Sequence, residues 1–246
     1  MRLTDDTLEP HDALPYDPDE DREEAEPTKP LRPLLRVLRW AIGAFIVGQG
    51  ANAAVAAAAL YMFAPADDGP APFWNAGALK PAEAVVSVVF IATLIFAAAC
   101  YFRFVYRAMA NLRTFSARHI QDSPLGSVVW HFVPGIGWIK PYSIMRLLWV
   151  RSHNPSNRAE EPSPPGALGG WWLLWLGVNL TALYSAALQR GMYDPYSDQA
   201  AILRAMYIAN ILSSLFAIPS ALLLLPIVND ITDAQDIIEK AEVFKD

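Results

Sequence analysis

The sequence predicts an all-α integral membrane protein. Four transmembrane helices are expected, with a Pro/Gly-broken re-entrant or interfacial helical element between helices 2 and 3. Three observations carry this. Hydrophobic residues make up 54% of the chain and charged residues only 18%, against about 25% charged in average soluble domains. Four apolar stretches reach the roughly 20 residues a helix needs to cross the hydrocarbon core. Lysine and arginine fall mostly on one side of those stretches.

The stretches are Leu38 to Phe63, Ala84 to Phe102, Gly170 to Leu188 and Ile202 to Val228. The first is Ala-rich and contains Gln49 and Asn52. The third opens "GGWWLLWLGVNL", and the fourth contains Asn210 and Pro219. Orientation follows the Lys and Arg bias near span ends. Lys29, Arg32, Arg36 and Arg39 precede the first span. Arg103, Arg107, Arg113, Arg118, Lys140, Arg146, Arg151 and Arg158 lie between the second and third, and Lys240 and Lys245 follow the fourth. These fourteen oppose three, Lys80, Arg190 and Arg204. Both termini are therefore expected in the cytoplasm. The loops "PADDGPAPFWNAGALKPAE" and "RGMYDPYSDQ" then face outward, with Trp74 and Tyr193 as interfacial anchors.

Ahead of the first span runs "MRLTDDTLEPHDALPYDPDEDREEAEPTKP". It holds eleven Asp and Glu against Arg2, Arg22 and Lys29, a net of −8 in a chain of −6 overall, so the remainder is about +2. The acidity is local and implies no basic partner for the folded part. Rich in Pro and acid, residues 1–33 have too little apolar surface to offset the entropy of ordering and are expected to form a disordered cytoplasmic tail. They lack the basic start and apolar run of a signal peptide. Residues 34–236 form the membrane domain and 237–246 a cytoplasmic C-terminal tail. The end of the chain continues the fourth helix, with Ile231, Ile237, Ile238 and Val243 as an apolar stripe.

The stretch "HFVPGIGWIKPYSIMRLLW", His131 to Trp149, decides the topology. From Pro124 to Ile139 there are 16 residues without Lys, Arg, Asp or Glu, which is short for a span. Extending them to Val150 would put Lys140 near mid-membrane, at a cost of about 2.5–3.5 kcal/mol. Pro134 disfavours a helical Val133, and Gly135 and Gly137 are poor helix-interior residues. Pro141 suits the first turn of a new helix. The expectation is a bend that enters and returns, or lies in the interface. A helix from Pro141 to Arg151 then lies on the membrane surface, with Tyr142, Met145, Leu148 and Trp149 near one face.

"YRAMANLR" (Tyr106 to Arg113), "SPLGSVVWHFVPGIGWIKPYSIMRLLWVRS" (Ser123 to Ser152) and "WWLLWLGVNL" (Trp171 to Leu180) resemble the bacterial membrane proteins grouped as domain of unknown function 4328. The resemblance runs from Leu34 to Asp236 and is densest from F-V-P through K-P-Y-x-x-M-x-x-x-W. Two positions depart from that family's pattern. Gly137 lies near where an Asn is usual, and Arg146-Leu147-Leu148 lacks a Glu often found there. The resemblance implies a multi-pass bacterial membrane protein, hence the bacterial inner (cytoplasmic) membrane, and no particular activity.

Candidate sites follow from residue type and spacing. Arg103, Arg107, Asn111 and Arg113 continue the second helix past the membrane, with Arg103 and Arg107 one turn apart. If the bend folds back, Lys140 and Tyr142 meet that face and form a pocket for an anion or lipid headgroup; ordinary basic flanking residues would read the same way. Gln49, Asn52, Asn179 and Asn210 are intramembrane polar residues. They suit hydrogen bonds between helices, aided by the small residues Gly43, Ala44, Gly48 and Ala51, and a transport path would use similar groups. His119, His131 and His153 have no metal-ligand spacing, and Cys100 has no partner cysteine. Neither a G-x-S-x-G elbow nor a phosphate-binding loop occurs. No catalytic residue, metal or cofactor is therefore assigned.

The leading expectation is a non-enzymatic scaffold, lipid-interacting or partner-binding protein. Its partners would be the lipid bilayer with anionic headgroups and a second copy or another membrane protein, with no nucleic acid. A channel or transporter component is the alternative, and a membrane-embedded enzyme acting on lipid the third.

Overall fold

A computed structural model describes residues 28–62, 75–115, 120, 122–154, 162–194 and 198–243. Most of the acidic N-terminal segment, Trp74 and His119 lie outside them. Among the described residues are helices α1 (Arg32–Met62), α2 (Asn75–Phe115), α3 (Pro124–Val129), α4 (Lys140–His153), α5 (Gly166–Gly191) and α6 (Gln199–Val243). Two 3₁₀ turns, Trp130–Phe132 and Ile136–Trp138, join α3 to α4, and no strand is described. Helices α1, α2, α5 and α6 are each long and apolar enough to cross a membrane. The fold is the expected one: four membrane-spanning helices and a Pro/Gly-broken element between the second and third.

Helix length shapes the molecule. At about 1.5 Å per residue, the 41 residues of α2 and the 45 of α6 are about twice as long as a hydrocarbon core about 30 Å thick. Both helices run past their apolar stretches at the end rich in Lys and Arg, called here the cationic end. Their extensions carry apolar faces that need cover, and α4 supplies it. Ile144, Met145 and Leu148 of α4 join Phe104, Met109 and Leu112 of α2, Leu31, Leu35 and Leu38 at the start of the first span, and Ile227 and Ile231 of α6 in one buried cluster. The apolar face expected on α4 exists. It is turned into protein, where a helix lying on the membrane surface would turn it into lipid.

The expected C-terminal stripe splits. Ile231 is buried while Ile237 is exposed. The two are six residues apart, which puts them on different sides of a 3.6-residue helix. The buried face instead runs through Val228, Ile231, Thr232 and Gln235.

The broken element is built by local sterics. The Ser123 hydroxyl accepts the Gly126 N–H at 2.9 Å, capping α3, with a proline in its first turn. Gly135 has φ 76° and reverses the chain in a region that glycine enters without penalty. The Gly137 N–H donates to Val133 O at 2.7 Å, and a Cβ on Gly137 would stand 2.8 Å from the His131 carbonyl oxygen. The path of this chain thus requires glycine where the family pattern has Asn nearby. Leu125, Val129, Phe132, Ile136 and Ile139 stay exposed along the outer edge of the element.

Across the bundle, α1 packs on α2 and on α6, and α6 packs on α5. Helices α2 and α5 do not pack extensively on each other. Register between α1 and α6 is set by Arg39, whose Nε and Nη2 donate to Asn229 Oδ1 at 3.1 and 2.7 Å. Arg32 forms a salt bridge with Asp236 and another with Asp233.

Candidate functional site: a crevice between α2 and α5

Where α2 and α5 stand apart, α1 and α6 floor a cavity of about 270 Å³. Leu38, Ile42 and Phe45 line it from α1, and Leu94, Ala97, Ala98, Tyr101 and Phe102 from α2. Trp171, Trp175 and Val178 face it from α5, and Ala217, Ser220, Ala221 and Leu224 from α6. None of these side chains is charged. His131, carried by the first 3₁₀ turn, joins the lining. The break at Pro134 and Gly135 thus brings a histidine against the bundle.

The hydrogen bonds define the state of His131. Its Nδ1 lies 2.9 Å from Ser127 O. A carbonyl can only accept, so Nδ1 carries the proton, and the neutral ring presents Nε2 as an acceptor. The Tyr101 hydroxyl donates to Nε2 across 3.3 Å. The His131 ring also meets Phe102 edge-on, with centroids 5.2 Å apart. The Ser220 hydroxyl donates to Trp171 O at 3.3 Å.

Burial pushes the His131 imidazole below its ordinary value, opposed in part by hydrogen bonds that the ring donates to the backbone at Ser127 and Val128. The folded state therefore holds the proton less well than the unfolded one, whose value is about 6.5. His131 contributes stability fully above that value, and the contribution is lost as pH falls through the depressed folded value. Thermal unfolding in mild detergent should show a midpoint that falls more between pH 7.5 and 5 for the parent protein than for His131→Gln. Equal slopes would contradict it.

The expected cationic constellation is only partly assembled. Arg103 and Arg113 are exposed, whereas Arg107 and Asn111 are buried beneath the covering layer. Lys140 turns to Asp122, with Nζ 3.6 Å from Oδ1, and stands 5.5 Å over the Trp130 ring. The Tyr142 ring packs on Trp172, whose Nε1 donates to Trp138 O at 2.8 Å.

Of the intramembrane polar residues, Gln49 is 2% exposed at the α1–α6 seam, where Ser214 Oγ donates to its backbone oxygen at 3.5 Å and to Asn210 O at 2.9 Å. Asn179 instead donates to Trp175 O in its own helix at 2.8 Å. Asn52 is half-buried. The close packing expected at Gly48 is present: a Cβ there would come within 2.7 Å of Thr93 Oγ1.

Two polar features escaped the sequence reading. Tyr207 donates to Glu83 Oε1 at 2.6 Å, joining α6 to α2 toward the end opposite the cationic one. At the cationic end, Gln235 Nε2 donates to Ala108 O and to Ser152 Oγ, both at 3.1 Å, and its Oε1 accepts from Asn111 Nδ2 at 3.2 Å. The Asn111 amide also pairs with the Lys29 backbone, at 3.2 and 3.0 Å. His153 stacks on Trp149 with centroids 4.1 Å apart. Among the described residues, no three His, Cys, Asp or Glu converge as metal ligands would.

Residues 73–233 match the family described as Domain of unknown function (DUF4328). The chain belongs to this family. No curated protein and no solved structure matches it. The match begins later than the resemblance read from Leu34, since α1 precedes it, and it ends within α6. In this DUF4328 protein the stretch where the resemblance is densest, Phe132 to Trp149, runs from the turn that carries His131 through the bend and most of α4.

Proposed function

We propose that this is a non-enzymatic, lipid-interacting membrane protein whose α2–α5 crevice holds a lipid chain. The crevice is the observation that carries the reading. It is an uncharged cleft at the level of the spans, lined by aliphatic and aromatic side chains with a few polar groups at one end. That is the usual make-up of a small-molecule site, and the surrounding bilayer supplies its occupant. The Lys and Arg bias supports an inner-membrane location with the cationic end and both termini cytoplasmic. There the exposed Arg103 and Arg113 attract anionic headgroups.

Filling the crevice tests the reading. Ala98→Trp should leave the helix content by circular dichroism intact and reduce the lipid that native mass spectrometry finds on the protein from mild detergent. Unchanged lipid retention would overturn it. Orientation is tested with Cys100→Ala protein carrying single cysteines at Ser143 or Asp194. An impermeant thiol reagent should reach only the second in intact cells.

A further inference from the structure

We propose that the crevice selects a neutral lipid bearing a free hydroxyl, seated with that hydroxyl between Tyr101 and His131 and its chain running toward the far end of the bundle. The proposal rests on the lipid-binding reading above and names the ligand class.

Polarity along the crevice gives the orientation. Ser220 bonds Trp171, and Tyr101 bonds His131, so the polar groups sit together toward the cationic end. Farther along, the approaches of Gly48 to Thr93 and of Gly177 to Phe216 mark the opposite level. The side chains lining the cavity toward that level are Phe45, Leu94 and Val178, none of them polar. An amphiphile fits this gradient in one direction.

Charge narrows the ligand. No Lys, Arg, Asp or Glu lines the cavity. An ion drawn into uncharged, low-dielectric surroundings loses hydration without compensation. The polar group that enters must be neutral.

Hydrogen-bond valence narrows it again. Nδ1 of His131 is committed to Ser127 O, and the Tyr101 hydroxyl reaches Nε2 at 3.3 Å. That is longer than the usual range of about 2.7–3.2 Å. A lipid hydroxyl both donates and accepts. When the two side chains part to admit it, its O–H donates to Nε2 while its oxygen accepts the Tyr101 proton, so one long bond becomes two ordinary ones. An ester, ether or ketone oxygen only accepts. It would take the Tyr101 proton and leave Nε2 without a donor. A fatty alcohol and a diacylglycerol share the required chemistry.

The test uses the full chain in phosphatidylcholine nanodiscs with a hexadecanol probe carrying a photoactivatable diazirine in its chain. Labelled peptides from α2 or α5 are expected. Unlabelled hexadecanol should compete about five-fold better than its methyl ether, the size of one net hydrogen bond; His131→Phe, which lacks the Nε2 acceptor, should remove that difference, whereas Tyr101→Phe should weaken both competitors and keep it. Dioleoylglycerol competing more strongly than hexadecanol supports the proposal with diacylglycerol as the source, and the reverse order supports it with a fatty alcohol. Equal competition by alcohol and ether overturns the hydroxyl selectivity. In that case labelling of the crevice by a diazirine phosphatidylcholine leaves the lipid-binding reading standing. If no lipid probe labels the crevice, both fail.

Discussion

Gln235→Leu is expected to lower stability by about 3 kcal/mol, read as a fall in the thermal midpoint in mild detergent. Gln235 is buried at the cationic end and joins three elements: Asn111 and the Ala108 carbonyl of α2, and Ser152 of α4. Through Asn111 it also reaches the Lys29 backbone ahead of α1. Each buried polar group left without its partner costs about 1–3 kcal/mol. Leucine keeps the volume and removes all three bonds. The Asn111 Nδ2 group keeps Lys29 O, and the Ala108 carbonyl is helical, so the total falls well below three full penalties. Gln235→Glu should recover little. It restores an acceptor for Asn111 but cannot donate to Ser152, and it buries a charge. Faster hydrogen exchange in α4 peptides of both variants should accompany the loss. A midpoint equal to that of the parent protein would show that the network does not hold this end together.

That network also shows where sequence reading stops. Spans were legible because hydrophobic length and Lys/Arg bias are properties of the linear chain. The bend at Pro134, Gly135 and Pro141 was legible because proline and glycine act through local sterics. Gln235 was not, because "NDITDAQDIIEK" reads equally as a solvated helix end or as an apolar stripe, and neither reading assigns Gln235 a partner. It is buried only because α6 overshoots the membrane and α4 folds back over it. The face Val228, Ile231, Thr232, Gln235 was the available signal, one helical stripe with a polar residue at its end. The crevice was hidden for a different reason. Lipid tails are as apolar as leucine, so hydrophobicity does not say which spans touch and which stand apart. Its polar end was half visible: His131 is the one titratable side chain among the 16 residues from Pro124 to Ile139. Asn111 was singled out as a ligand group, but its amide bonds Gln235 and the Lys29 backbone.

Leu148→Ala decides between the two places α4 could occupy. On a membrane surface its apolar face would meet lipid, and truncating one leucine would cost little. In this fold Leu148 is fully buried against residues of α2 and α6, and Leu→Ala in a packed core costs about 2–5 kcal/mol. A loss in that range is expected from thermal unfolding in detergent. Ile139→Ala is the internal control. It lies just ahead of α4 and is 64% exposed, so its effect should stay within about 0.5 kcal/mol. Equal, small effects at both positions would return α4 to the surface. The docking of α4 also bears on the crevice, because the second 3₁₀ turn leads directly into it and Trp138 O accepts from Trp172. Loosening α4 frees the turn that packs against His131. Leu148→Ala should therefore reduce lipid retention as well as stability, while Ile139→Ala changes neither.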